Sequence, residues 1–126
     1  MLPSMKFTPD SDQGNMIQSF EHGEIRLRGR IIHSNAIISH DQIFPDWHVP
    51  AIDELSIADF QPVLDLHPEI ILFGTGIKQR FPSMALMTEI MQAGIAIEVM
   101  ETSAACRTFN VLIGEHRMVV AALLVE

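Results

Sequence analysis

Glu69-Ile70-Ile71-Leu72-Phe73-Gly74-Thr75-Gly76 carries, after its glutamate, an unbroken apolar run that stops on a Gly-Thr-Gly turn. With no polar residue alternating through it, the run predicts a strand buried on both faces, as in a parallel sheet covered by helices. The next residues repeat the theme. Ser83 after Pro82 is a reasonable N-cap, and Leu86, Met87, Ile90 and Met91 make a helical stripe that Gly94 ends. The methionines of that stripe read as core filler. Ile95 to Met100 predicts a second strand. Thr102 or Ser103 caps a second helix, with Ala105, Phe109, Leu112 and Ile113 on its inner stripe and Gly114 as its stop. Arg117 to Val125 is a long closing strand. Strand–helix–strand–helix–strand with short connections predicts an α/β fold with parallel strands and right-handed crossovers.

Upstream of Glu69 the period changes to two. Ile17, Ser19 and Glu21 face one way and Met16, Gln18 and Phe20 the other; His22-Gly23 turns the chain, and Glu24 to Ile32 resumes as one strand. In that strand Ile25, Leu27, Gly29 and Ile31 alternate with Arg26, Arg28 and Arg30. The three arginines would share a face, either as an anion patch or, more plainly, as a solvated row paired across strands with Glu21 or Glu24. Ala36 to Ser39 is a third short strand. This half reads as an antiparallel meander that extends the parallel sheet.

Between the halves, Ile43 to Pro50 reads as an irregular connection because Pro45 and Pro50 interrupt it. Trp47, the only tryptophan, reads as a plug over the core. Ser56-Ile-Ala-Asp59 fits a capping box and predicts a short helix to about Leu66, ended by Pro68. Residues 1–14, with Pro3, Pro9, Asp10, Asp12 and Gly14, read as a flexible arm, leaving 15–126 as one domain.

Composition narrows the function. A chain of 126 residues that is 48% hydrophobic is one domain's length, and size scaling buries about two-thirds of its unfolded surface. A net charge of −8 weighs against nucleic acid, since phosphate binding needs cations. Arg26/Arg28/Arg30 and Lys78/Arg80 are the local exceptions. No run approaches the ~20 apolar residues of a membrane span. A single cysteine makes no internal disulfide, and the first residues resemble no secretory signal or transit peptide. A cytoplasmic location is expected.

Ligands of open parallel sheets bind outside the carboxyl ends of the strands. Two segments qualify: Gly74, Thr75, Gly76, Lys78 and Arg80 after the first strand, and Glu101 and Thr102 after the second. The following helix carries Cys106, Arg107 and Asn110 in its first two to three turns. Helical side chains lean toward the N-terminus, so Arg107 is expected to reach that edge. It would serve either as an anion ligand with Lys78 and Arg80 or as a lock paired with Glu101 or Glu98. Gly74-Thr-Gly76 starts like a dinucleotide turn, but Gln79 stands where the third glycine belongs. Cys106 sits where a helix N-terminus lowers thiol pKa, yet no histidine is near it in sequence. The six histidines follow no metal spacing. The residues thus indicate no catalytic set, no metal and no cofactor.

Taken together, the Gly-Thr-Gly turn, Gly94-Ile-x-Ile-Glu-Val-Met100, Thr102-x-x-Ala-Cys-Arg-Thr-Phe-Asn110 and Arg117-x-Val-x-Ala-Ala-Leu resemble a family of small α/β proteins. That family includes the mitochondrial NADH:ubiquinone oxidoreductase complex assembly factor 3. The similarity runs from about Asn15 to Val125, with Phe109 where many members have tyrosine. The resemblance implies a three-layer α/β fold with a mixed central sheet and a non-catalytic helper role with protein partners, respiratory-complex subunits among them. With no presequence evident, the chain looks like a bacterial member. The alternative is a small anionic ligand bound or turned over at the Gly74–Arg80/Glu101–Arg107 edge. A homo-oligomer through an apolar surface is compatible with both.

Overall fold

The structure, a computed structural model, describes residues 14–126, so the expected N-terminal arm lies outside the described residues except for Gly14. Five strands are antiparallel or edge elements: β1 (Ile17–Glu21), β2 (Glu24–Leu27), β3 (Arg30–Ile32), β4 (Ala36–Ile38) and β5 (Ile43–Pro45). Two short 3-10 turns lead into α1 (Gln61–Leu64). Then follow β6 (Ile70–Thr75), α2 (Met84–Gln92), β7 (Ala96–Met100), α3 (Thr102–Gly114) and β8 (Val119–Leu124). The central sheet has the order β5-β4-β8-β6-β7, with β6 parallel to both β7 and β8 and β4 antiparallel to β8. The expected α/β fold and mixed sheet are present, but only β4 and β5 extend the central sheet; β1, β2 and β3, expected to extend it too, form a separate antiparallel sheet.

Alternation along the central strands builds three layers. Leu72, Val119, Ala121 and Leu123 point to one face, where Ala105, Cys106, Phe109 and Ile113 of α3 and the separate β1-β2-β3 sheet cover them. Ile71, Phe73, Val120, Ala122 and Leu124 point to the other, under Phe60, Val63, Leu86 and Ile90. Phe60, Phe73 and Phe109 are fully buried, each contributing about 1.5–3 kcal/mol relative to exposure. Trp47 closes the second core as expected. Its ring meets Phe60 and Phe73 edge to face, with centroids 5.4 and 6.3 Å apart, and Nε1 donates to Asp59 O at 3.0 Å. The capping box forms as well, with Asp59 Oδ2 accepting the Ser56 N–H at 2.8 Å.

The N-terminal half departs from strict alternation in three places. A register shift between Ile17 and Ser19 sets Ile17 opposite Leu27 and Phe20 opposite Ile25. This bulge turns both Ile17 and Phe20 toward the core. Gly29, at φ 71°, folds the expected 24–32 strand into a hairpin of β2 and β3. The arginine row is thereby broken: Arg26 pairs with Glu24 on its own strand at 2.7 Å, Arg28 sits in the turn, and Ile31 is exposed while Ile32 is buried. Finally, Ile43–Pro45 is a strand after all, lying on the sheet's rim beside Ala36–Ile38. Proline is tolerated there because an edge strand leaves N–H positions unpaired.

Two smaller expectations are corrected in the helices. Met87 is half-buried against the second core, but Met91 is exposed, because the stripe of α2 is narrower than its four apolar residues. Gly114 is the last helical residue of α3 rather than its stop. The left-handed step falls on His116, at φ 60°.

Candidate functional site

β6 and β7 run parallel, so the segments that follow them emerge on the same rim of the sheet. There the chain binds itself. Thr102 N–H donates to Gly76 O at 2.8 Å, and Gly76 N–H donates back to Thr102 Oγ1 at 2.8 Å. The Thr102 hydroxyl then donates to Leu124 O at 2.6 Å, tying the ends of β6, β8 and α3 into one knot. Thr102 is completely buried. It was expected as a helix cap; the cap position belongs to Glu101, whose side chain makes no cap bond.

This closure explains the glycines. Gly74 lies within β6 rather than in a turn, and a Cβ there would come 2.9 Å from both Cα and Oγ1 of Thr102. Gly76 turns at φ 91°, and a Cβ there would run into the backbone of Glu126. Both glycines permit close approach of neighbouring backbone. Thr75 Oγ1 lies 2.5 Å from Lys78 O and accepts the Arg80 N–H at 3.0 Å. Gln79, the residue that spoils the dinucleotide pattern, donates from Nε2 to Val99 O at 2.9 Å.

The remaining candidates scatter. Lys78 and Arg80 are exposed beyond the rim, and the Arg80 guanidinium donates to Thr75 O at 3.2 Å. Glu101 is exposed and accepts the Ser103 hydroxyl at 3.0 Å. Arg107 is exposed and forms no ion pair; among the described residues neither Glu101 nor Glu98 comes within bridging distance, so the expected lock is not made. Cys106 is buried, and burial pushes its thiol up to about 12 against a smaller opposing pull from Arg107. The helix terminus therefore does not activate it. Asn110 has a structural task that the sequence did not reveal. Its Oδ1 accepts the Ile17 N–H at 2.9 Å and its Nδ2 donates to Ile17 O at 2.7 Å, so the side-chain amide pairs with β1 like another strand.

A second feature was missed altogether. An open cleft of about 790 Å³ runs past Asn35, Asp46, His48, Asp53, Arg80 and Glu126, on the Trp47 side of the sheet. Arg80 is the only candidate residue in it. The sequence signal for it was the proline-interrupted connection Ile43 to Pro50, within which Asp46 turns at φ 62°.

The sequence model of the family described as "Protein of unknown function (DUF498/DUF598)" matches residues 17–124. The chain belongs to that family. Its relatives include the Francisella tularensis "13 kDa major membrane protein", 39% identical over 101 residues, covering 74% of this chain and 81% of that one. They also include human "NADH dehydrogenase [ubiquinone] 1 alpha subcomplex assembly factor 3", 32% identical over 118 residues and 91% of this chain. This chain spans 63% of the human protein's length. The NMR structure of a Xanthomonas campestris protein matches with a TM-score of 0.81 at 32% identity, over 95% of this chain and 86% of that one. The resemblance expected from the strand-end motifs is thus to the right family. No helix among the described residues is long and apolar enough to cross a membrane.

Proposed function

We propose that this protein is a non-catalytic interaction protein that assists assembly of a larger complex, with an NADH dehydrogenase-type respiratory complex the first partner to test. One observation carries the reading: the human assembly factor aligns with 91% of this chain, so the shared part is the whole domain and not a fragment of it. The rim supports it indirectly. Where an α/β enzyme of this architecture would keep donors open for a ligand, Gly76 N–H and Thr102 N–H are already used internally. An anionic ligand at that edge is the weaker reading for the same reason.

In this reading the protein works from the cytoplasm, meeting its partner at or near a membrane. The test is deletion in the source organism with native electrophoresis of respiratory complexes, alongside retrieval on a tagged chain at native abundance. Reduced assembled complex and retrieval of its subunits are expected. Normal complexes with an empty retrieval would sink the proposal. Fractionation checks the location: the chain should leave membranes in a salt wash, and resistance to that wash would contradict it.

A further inference from the structure

Just beyond the sealed rim, the segment leading from β6 into α2 carries the three most exposed large apolar side chains among the described residues. Ile77 is 75% exposed, Phe81 61% and Met84 72%, two large apolar side chains of the loop and the first residue of α2. Scattered exposed apolar residues are ordinary, but a local cluster marks a contact surface. The charge is equally local. In a chain with 16 acidic and 8 basic residues, no acid occurs between Glu69 and Glu89, while Lys78 and Arg80 stand exposed among the apolar side chains.

The loop is also held in shape. Thr75 Oγ1 bonds Lys78 O and Arg80 N–H, Gln79 reaches Val99 O, and Ser83 Oγ caps α2 by accepting the Leu86 N–H at 3.1 Å. A preorganised surface loses little entropy on binding. Arg80 spends one donor on Thr75 O, which leaves most of its five N–H groups for a carboxylate.

We infer that the Ile77–Met84 loop is the partner-binding surface, and that it takes a protein segment presenting one or two carboxylates beside apolar side chains. The inference rests on the assembly-factor reading and adds to it where the partner sits and what it offers. Phe81 is the anchor, since aromatic residues at the centre of a patch dominate such contacts, and Lys78 and Arg80 select the acids. Charge decides against an anionic bilayer. Glu101 and Glu126 flank the base of the loop through Thr102 and Gly76, and an extended anionic surface would oppose them too. Two cations are fewer than the polybasic clusters that hold a chain to such a surface, whereas a protein segment can face Lys78 and Arg80 alone.

The test places a photo-crosslinking phenylalanine at position 81, and at exposed Glu115 as control, in cells of the source organism, and maps the adducts by mass spectrometry. The position-81 probe should join one protein segment with Asp or Glu within a few residues of the adduct. Phe81→Ser and Lys78→Glu should each lower that protein's retention on the tagged chain at least tenfold, at an unchanged melting temperature. Undiminished retention by both variants, or capture of the partner by the control probe alone, overturns the surface while leaving the assembly reading intact. Flotation with phosphatidylglycerol vesicles that Phe81→Ser abolishes, without a protein adduct, overturns it in favour of lipid. Empty retrieval with normal complexes removes both readings together.

Discussion

Gly74 to Gly76 and Ile77 to Met84 are neighbours in sequence and opposites in chemistry. The first segment is wholly buried and spends its backbone on Thr102 and the last strand. The second holds three exposed apolar side chains and two cations. The boundary is Gly76. A parallel sheet ordinarily offers its carboxyl rim to ligands; here the rim is packed shut, and the proposed recognition surface lies one turn outward on a loop. A Gly-Thr-Gly sequence after an apolar strand can therefore mean closure as readily as binding. What separates the two is the residue that approaches the glycines.

That contrast can be broken most forcefully at Gly76. Alanine there must adopt a left-handed φ at about 1–2 kcal/mol and displace the Glu126 backbone, with overpacking adding about 1–3 kcal/mol. Urea unfolding of Gly76→Ala should show a loss of about 3 kcal/mol or more; a loss under about 1 kcal/mol would mean the rim is looser than described. Thr102→Val keeps the shape and deletes the hydroxyl, leaving Gly76 N–H and Leu124 O unpaired in a buried place. At about 1–3 kcal/mol for each orphaned group, a combined cost of about 2–6 kcal/mol is expected from the same measurement.

The sealed region extends to two residues that the sequence suggested for the site. Asn110→Ala should cost about 2 kcal/mol for two lost hydrogen bonds and selectively speed amide exchange at Ile17; uniform exchange across β1 and α3 would argue against the amide pairing. Cys106 gives a pH signature. Its folded thiol titrates near 12 and its unfolded thiol near 9, so between those values the folded chain holds a proton that the unfolded chain has lost. The thiol's contribution to stability is thus intact below pH 9 and erodes as pH rises from 9 toward 12, an erosion that Cys106→Ala should lack. Equal alkaline slopes would contradict the burial. On the open side the expected stability effect is smallest: Phe81→Ser should lie within about 0.5 kcal/mol of wild type, as for surface positions without packing.

Much of this fold was legible because its signals are local. The Ser83 cap, the apolar run of β6, the inner stripe of α3 and the Trp47 plug each depend on residues close in sequence or on bulk alone. The site was legible only as a location. Thr102 meets Gly76 and Leu124 across 26 and 22 residues, and Asn110 meets Ile17 across 93. No periodicity encodes those pairings. The same holds in the N-terminal half, where Gly29 reads equally well as a strand residue or a turn, and a bulge of one residue reverses the faces of β1. Arg107 shows the reverse: its chemistry suggested a lock on Glu101 or Glu98, and the helix leaves it exposed without one.

Hydrogen exchange of the free protein, followed residue by residue by NMR, tests the closed rim against the open loop most directly. The Gly76 amide, bonded to a buried hydroxyl, should exchange at least about a thousandfold more slowly than that of Lys78, which has no protein acceptor among the described residues. A Gly76 amide that exchanges as fast as Lys78, while Leu72 in the middle of β6 stays protected, would mean the rim opens to solvent. In that case the reason for moving recognition outward to the loop would be gone.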